Sequence, residues 1–523
     1  MYGILRNNSS LHNNQIYILN KGIVMKKSYG TLVIMLFIFS MSLFAQSGTK
    51  LVGFDARTMG RGGVDIGFFD NPDLMMTNPA GISFLSNSML DANFSLMVPS
   101  LHFQNALNNK DGKTNYFPMP DISYVSSADN NLTWGIGLFT QGGMGSDFTL
   151  DHALFVDQNG NYVPQTYHSK LAVMQGGPSA SYKFTSSFSI GITAQLVYSM
   201  LEFQMPYSLS PSAMKGVIPQ TGGMTFGQLF AAPPSQGGFG YQEVTADANM
   251  NNLTAISFTG RIGFAYKVND QISLGLTYSL PTSLTYKNGK ATMDMTAQLN
   301  DAFGKAVMGY MAQNPGATQQ QAQGAVMTQF TNMGINLQKG AIDNYNLEAK
   351  LKLPQSLGFG LSYKATDSFR AGFDVEWYNW QNAFDNMSLN LSNGSNPNIM
   401  TMMGNTGSFS INFPMNWKDV ILVKIGGEYD INEALTVRAG FAYGNNPVPS
   451  TTVFPVFPAI VENHITIGAG YKLTNAFTLN AAYEIGLNSS ETASNPSIVA
   501  NEYNGSTSQL ATNLFHISLS WNL

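Results

Sequence analysis

Phe515-His-Ile-Ser-Leu-Ser-Trp-Asn-Leu523 closes the chain, and its apolar residues Phe515, Ile517, Leu519, Trp521 and Leu523 alternate with His516, Ser518, Ser520 and Asn522. Successive side chains of an extended strand point to opposite faces, so this stretch reads as a strand with one apolar and one polar side. The same period of two runs through 257–267, where Phe258, Ile262, Phe264 and Tyr266 oppose Ser257, Thr259, Arg261 and Lys267. It recurs in 369–377, where Phe369, Phe373, Val375 and Trp377 oppose Arg370, Asp374 and Glu376. A soluble sandwich alternates as well, so the connections must decide. The pattern gives 14 candidate strands, at 89–104, 116–127, 131–143, 168–184, 187–206, 250–268, 270–297, 342–365, 368–391, 407–430, 433–446, 459–473, 476–489 and 508–523. Tight polar links such as Thr185-Ser-Ser187, Asn269-Asp270, Thr366-Asp367, Asn432-Glu433 and Thr474-Asn475 follow the even-numbered strands. Long links, as at 144–167, 207–249, 298–341 and 490–507, follow odd-numbered ones. An even strand count with short and long connections segregated to opposite ends predicts an all-β fold, a transmembrane antiparallel β-barrel. Short turns then belong on the periplasmic side, together with both termini.

Composition agrees. Only 11% of the 523 residues are charged, against about 25% in ordinary globular chains, while 12% are aromatic and 51 are Gly. The mean hydropathy of −0.04 is far too low for a helical membrane bundle, but suits strands whose lipid-facing and lumen-facing residues average out. A net charge of −5 without any Lys/Arg stripe argues against nucleic acid. The absence of Cys excludes a disulfide framework, thiolate-bound zinc and a lipid-anchored N-terminal cysteine. Six His, at 12, 102, 152, 168, 464 and 516, form no metal or triad spacing, so no catalytic residue, metal or cofactor is expected. A lipid hydrolase with a triad gathered from distant strands leaves no local signature and stays open as a rival, as does an adhesin.

Lys26 and Lys27 precede an apolar run of about 13 residues, Leu32 to Phe44, which ends at Ala45-Gln46. Charge, apolar run and small residue follow in the order of a signal peptide, and the run is shorter than the roughly 20 residues of a spanning helix. We read Met25 as the start and 1–45 as the segment removed. From 46 to 88 alternation is missing. Gly60-Arg-Gly-Gly63, Asp70-Asn-Pro72 and Thr77-Asn-Pro-Ala-Gly81 punctuate this stretch, as in a compact plug (a hatch inside the lumen) or an external tether. The barrel then occupies 89–523, with 207–249 and 298–341 as its long external loops.

Gly60-Arg-Gly-Gly63 with Asn78-Pro-Ala-Gly81 resembles the hatch of FadL-type outer-membrane transporters (the OmpP1/FadL/TodX family). Leu353-Pro-Gln-Ser-Leu-Gly358, Phe373-Asp-Val-Glu-Trp-Tyr-Asn-Trp380, Thr436-Val-Arg-Ala-Gly-Phe-Ala-Tyr443, Asn446-Pro-Val-Pro449 and Ile465-Thr-Ile-Gly-Ala-Gly-Tyr471 resemble its barrel strands. The chain departs from that pattern in ending on Leu523, not on an aromatic residue. The resemblance implies a 14-stranded barrel with an N-terminal hatch in a Gram-negative outer membrane. Such a protein takes up hydrophobic small molecules, long-chain fatty acids or aromatic hydrocarbons, as a monomer among outer-membrane lipid and lipopolysaccharide. It also implies that the Asn78-Pro79-Ala80 bend closes the lumen and shifts when ligand binds; from its residues alone the bend reads equally as a static tight turn.

A fatty acid needs an apolar wall for its tail and cations for its carboxylate. Taking Tyr345, Leu347, Ala349, Leu351 and Leu353 as lipid-facing puts Glu348, Lys350 and Lys352 in the lumen. Lys350 and Lys352, then Arg261, are the carboxylate candidates. Arg370, Lys424 and Arg438 also fall inside, with Asp374, Glu376 and Glu428 as partners. Arg370, Glu428, Arg438 and Lys267 lie close to short turns and are expected to anchor the plug. Tyr286, Tyr363, Trp377, Trp417, Tyr429, Tyr443, Tyr471 and Trp521 are candidates for interfacial girdles. In the loop 298–341, Ala302–Met311 and Ala322–Ile335 have helix-like apolar spacing rich in Met, which suits an adaptable surface for a greasy ligand, a small local core capping the barrel mouth, or both.

Overall fold

The computed structural model describes residues 48–127, 131–494 and 499–523. The signal-peptide segment 1–45, the first residues of the expected hatch, and Asp129-Asn130 of the first short turn lie outside them. Fourteen antiparallel strands close into one ring. They are β1 (Met89–Gln104), β2 (Asn109–Asp111 and Phe117–Ser126), β3 (Leu132–Leu150), β4 (Gln165–Lys183), β5 (Phe188–Leu209), β6 (Val244–Lys267) and β7 (Ile272–Ser279 and Thr282–Asp294). The ring continues with β8 (Ile342–Leu353 and Ser356–Lys364), β9 (Phe369–Tyr378 and Asn386–Ser392), β10 (Phe409–Pro414 and Val420–Asp430), β11 (Leu435–Gly444), β12 (Asn463–Lys472), β13 (Phe477–Thr492) and β14 (Thr507–Asn522). β14 pairs with β1 from Met89↔Asn522 to Gln104↔Thr507, so the first and last strands close the ring on each other.

Five of the short turns share one construction. Phe184, Val268, Ala365, Ile431 and Leu473 each donate their amide to the carbonyl four residues on. The next residue, Thr185, Asn269, Thr366, Asn432 or Thr474, accepts with its side chain from the amide that opens the following strand, at 2.8–3.1 Å. A short polar side chain that replaces a backbone acceptor is why Thr and Asn punctuate the sequence at these points.

The outer surface carries an apolar belt. In β6, Ile256, Phe258, Ile262 and Tyr266 are exposed, as is Val268 just past its end, while Gly263 and Ala265 are buried. At about 3.3 Å per residue and a tilt near 45°, that stretch rises about 28 Å, close to the roughly 25 Å apolar band of such barrels. Tyr363, Tyr429, Tyr471 and Trp521 lie exposed near the short turns, as expected of a girdle. Tyr286 and Trp417 do not: both are buried, at 0% and 1% exposure, inside the ring.

Above the belt the wall changes character. β7 breaks at Leu280-Pro281, β8 at Pro354-Gln355, β9 at 379–385 and β10 at 415–419. In β8 the inward residues are Ser356, Gly358 and Gly360 below the break, but Tyr345, Leu347, Ala349, Leu351 and Leu353 above it. Trp380, Phe384 and Trp417 gather at the breaks, with ring centroids 4.6–5.4 Å apart. Over them folds the link between β11 and β12, residues 445–462. It dips into the lumen and buries Val448, Val453, Phe454, Val456, Phe457, Ile460 and Val461. The upper lumen is thus filled by the chain's own apolar core.

The loop between β7 and β8 holds two helices, Thr296–Gln313 and Gln319–Asn332, which bury Leu299, Ala302, Val307, Ala322, Val326 and Phe330 against each other and the adjoining links. Met308 and Met311, on the same helical spacing, are turned outward and exposed.

Candidate functional site

Residues 48–88 form no strand of the ring and are almost wholly buried inside it. Asp55 caps the short helix Ala56–Gly60 by accepting from Thr58 N. Arg61 follows, fully buried, and fixes the segment on itself and on the wall. Its guanidinium meets Asp65 at 3.0 Å, Asp70 at 2.9 Å and Glu428 of β10 at 3.5 Å. Arg370 of β9 pairs with Asp70 and Glu428, and Arg438 of β11 reaches Glu428 at 3.0 Å. The Phe68 ring lies 4.1 Å from one guanidinium, Arg61, and 4.3 Å from the other, Arg370. Burial alone raises a carboxyl, but around Asp70 the cations Arg61, Arg370 and Arg57 outweigh it and hold the group well below the usual carboxylate range. Asp374 Oδ2 accepts the amides of Asp65 and Ile66 at 2.8 and 3.1 Å, and Lys424 pairs with Glu376 and donates to the Gly63 carbonyl. The charges near the short turns therefore anchor the segment, as their position predicts. Lys267 does so by resting on the Phe84 ring, 4.7 Å from its centroid, not by an ion pair.

Close approach needs glycine on the wall. A Cβ on Gly426 would stand 1.9 Å from the Arg61 carbonyl, and one on Gly263 would stand 2.1 Å from Asn78 Oδ1. Asn78 Nδ2 donates to the carbonyls of Ile66 and Phe264, both at 3.0 Å, and Oδ1 accepts from Ala80 N. Pro79 opens a 3-10 turn, and the Ala80 carbonyl accepts from Ser181 and Ser189. The Asn78-Pro79-Ala80 bend is thereby stitched to β4, β5 and β6.

The other end of the segment touches β3. Gly143 N donates to Thr49 O at 3.0 Å, and Lys50 bridges to Gly142. On one side of this contact lies a small polar void lined by Lys50, Gln141, Gln175, Arg261, Glu376 and Lys424. Arg261 Nη1 donates to Thr77 O at 3.2 Å, and its Nε has no protein acceptor. Lys50 Nζ stands 4.8 Å from the Tyr378 ring centroid. Burial first, and then the charge of Arg261, pull this ammonium down to about 7.

On the other side is a cavity of about 510 Å³, within the 300–1,000 Å³ usual for ligand sites. Gly48 bounds it from the N-terminal segment, Pro458 and Ala459 from the inward loop. Both faces of β4 line it, Ser169 and Leu171 from within and His168 and Lys170 from without, so the cavity passes through the wall. The passage coincides with a gap, since β2 and β3 pair only from Ser126↔Trp134 to Ile122↔Leu138.

Residues 44–519 match the family described as outer membrane protein transport protein (OMPP1/FadL/TodX). The chain belongs to that family. It is an outer-membrane β-barrel protein of Gram-negative type that transports hydrophobic compounds. An outer membrane protein of Neisseria meningitidis serogroup B is 24% identical over 421 residues, which is 78% of each chain. Alkane uptake protein A of Marinobacter nauticus is 25% identical over 154 residues, 29% of this chain and 30% of the other. Among solved structures, the Pseudomonas putida toluene transporter TodX superposes with TM-score 0.64 at 19% identity, covering 91% of this chain and 100% of its own. A Pseudomonas aeruginosa FadL homologue gives 0.63 at 17% identity, over 91% and 99%. Family and structural neighbours are transport channels, not enzymes. A remote triad does have a shadow here: His516 Nδ1 meets Ser95 Oγ at 2.7 Å, and Glu484 stands between His516 and His464. Ser95, however, is paired on both sides, to His516 and to Met119, so its backbone belongs to the sheet and not to an oxyanion hole.

Of the carboxylate candidates, only Arg261 faces the lumen. Lys350 and Lys352 lie on the outer face, and Lys350, 54% exposed, pairs with Glu348 at 3.1 Å. The parity was sound but its sign reversed: above the break β8 has left the bilayer, so its polar side meets water and its apolar side fills the lumen. Lys50 was not among the candidates. It sits in a non-alternating stretch, and only the fold brings it to Arg261.

Proposed function

We propose that this family member carries hydrophobic molecules with one anionic headgroup, long-chain fatty acids first among them, across the outer membrane. The carrying observation is the polar void beside the cavity, where the Arg261 guanidinium donates to Thr77 O and its Nε has no protein acceptor. An anion entering there gives the Arg261 guanidinium a further acceptor and a counter-charge. The tail occupies the 510 Å³ cavity, and Gly48 to Leu51 is the short partition that must shift for head and tail to be held together. The bend at Asn78-Pro79-Ala80 stays anchored while this partition moves. The segment acts as a plug, the long loops face the medium and both termini face the periplasm. A monomer suffices, because the ring closes on itself. Cargo leaves sideways, through the gap between β2 and β3, into the membrane.

Uptake of neutral hydrocarbons is the second reading, favoured by the largely apolar wall of the cavity. The two separate in an Arg261→Gln variant reconstituted in liposomes. Oleate uptake should fall about tenfold, as for loss of one charge-assisted bond, while hexadecane or toluene uptake is unchanged. Equal loss of both cargoes, or of neither, sinks the headgroup assignment.

A pH dependence follows from Lys50. Its ammonium is present below about 7 and lost as pH rises through that value, so affinity for an anion should weaken between pH 6 and 8.5. Dodecyl sulfonate, whose charge is constant over that range, is the suitable probe for titration calorimetry. A Lys50→Met variant should bind it with a flat pH profile; a flat profile in the parent removes Lys50 from the site.

A further inference from the structure

The ladder between β2 and β3 stops at Ile122↔Leu138, yet both strands run on. β2 remains paired with β1 as far as Phe117, and β3 with β4 as far as Leu150. Just past the stop, β3 bulges between Thr140 and Gly142, and Gly142 adopts φ +147. An amide that leaves a sheet next to lipid must find another acceptor, because no water replaces the lost partner. Thr140 N–H has found one. It donates to Asp121 Oδ1 at 2.6 Å, while Thr140 Oγ1 donates to the Pro120 carbonyl at 3.2 Å. Continued by two residues, the ladder would set Thr140 opposite Pro120, so the amide has a competing acceptor already within reach of the same residue.

Asp121 is built into place. It is 5% exposed, and its Oδ2 accepts from Asn93 Nδ2 at 3.0 Å. Asn93 also donates to the Phe54 carbonyl at 3.0 Å and lies 3.1 Å from Ser95 Oγ, which joins His516. One oxygen of the carboxylate is thus held by the N-terminal segment and β1, and the other by the bulge of β3. Pro118 and Pro120 add to the break, since β2 has no N–H to offer at either position.

We propose that Asp121 is a positioning residue that props the side opening, by taking from Thr140 the amide proton that would otherwise zip β3 onto β2. The proposal rests on the sideways exit put forward above. Removal of the acceptor hands the amide to Pro120, extends the ladder by a residue pair and narrows the gap. Cargo does not touch Asp121, so its influence is on the wall alone.

The chain has no cysteine, which allows a direct test. Met119→Cys with Gln141→Cys places a thiol pair at the next ladder register, where paired Cα atoms approach to about 5 Å, inside disulfide range. Copper-phenanthroline oxidation should cross-link this pair slowly in the parent background and about tenfold faster with Asp121→Ala, the shift that one lost hydrogen bond allows. Asp121→Asn keeps an oxygen at Oδ1 and should stay within about twofold of the parent. Uptake of a fluorescent fatty acid into proteoliposomes should fall with Asp121→Ala and be retained with Asp121→Asn. Asp121→Leu, which fills the site without an acceptor, serves if the alanine variant does not assemble. Equal cross-linking rates in all backgrounds, or a loss shared by Asp121→Asn, overturns the role of Asp121. A separate arm tests the exit itself. Tyr116→Cys, at a cavity-lining residue 66% exposed, is labelled with a bulky maleimide. Undiminished uptake there defeats the sideways route, while the cross-linking rate still reports on Asp121.

Discussion

Replacing Arg61 by alanine should release residues 48–88 from the wall while leaving the fourteen-stranded ring intact. The guanidinium is fully buried and serves Asp65, Asp70 and Glu428 together. Its loss leaves three carboxylates facing one another, with Arg57, Arg370 and Arg438 as the remaining cations beside them. Breaking one side of a buried ion network costs about 3–5 kcal/mol, a population shift of more than a hundredfold. Amide exchange should accelerate across 58–78 in the variant, with the β11–β13 amides protected as before. Arg61→Lys should not restore protection, since one ammonium cannot replace a planar fork that meets several acceptors. Unchanged exchange in Arg61→Ala would mean that shape against the glycines of β10 and β11, and not charge, seats the segment.

The second large effect belongs to the inward loop. Phe457 stacks on Phe203 at 5.3 Å and 6°, and Phe454 meets Phe413 at 5.2 Å and Tyr503 at 5.9 Å. Each truncation to alanine in such a core costs about 3–5 kcal/mol. The double variant Phe454→Ala with Phe457→Ala should lose the loop from the lumen and admit neutral hydrophobic probes faster than the parent. Small hydrophilic sugars should still be excluded, because the Arg61 network keeps its seat below. Sugar leakage in the double variant alone would show that residues 48–88 do not seal the lumen.

The ring was legible because its signals are local. Period-two alternation and the Thr or Asn at each short turn act within a few residues, and they returned fourteen strands with most ends displaced by only a few positions. β3 was the chief shortfall, ending at Leu150 and not 143, because Gly142, Gly143 and Gly145 hide its alternation. The anchoring role of Arg370, Glu428 and Arg438 was legible from height above the turns. Lys350 and Lys352 failed because a strand's apolar side faces lipid only while the strand is in lipid. Tyr286 and Trp417 failed as girdle residues for the same reason. Lys50 and Asp121 carry no signal in spacing: one meets Arg261 from 211 positions away, the other meets an amide exposed only by a bulge.

The cavity touches Gly48 of the N-terminal segment and Pro458 of the inward loop, and it opens through the wall between them. On the sideways route proposed above, such a plan works like an airlock with a side door. On that route no water column crosses the bilayer at any stage, and uptake of grease is uncoupled from permeability to polar toxins. Damage to one seal alone should then go unnoticed in a screen for sensitivity to hydrophilic antibiotics, and only paired lesions should reveal that the barrel is wide enough to be a pore.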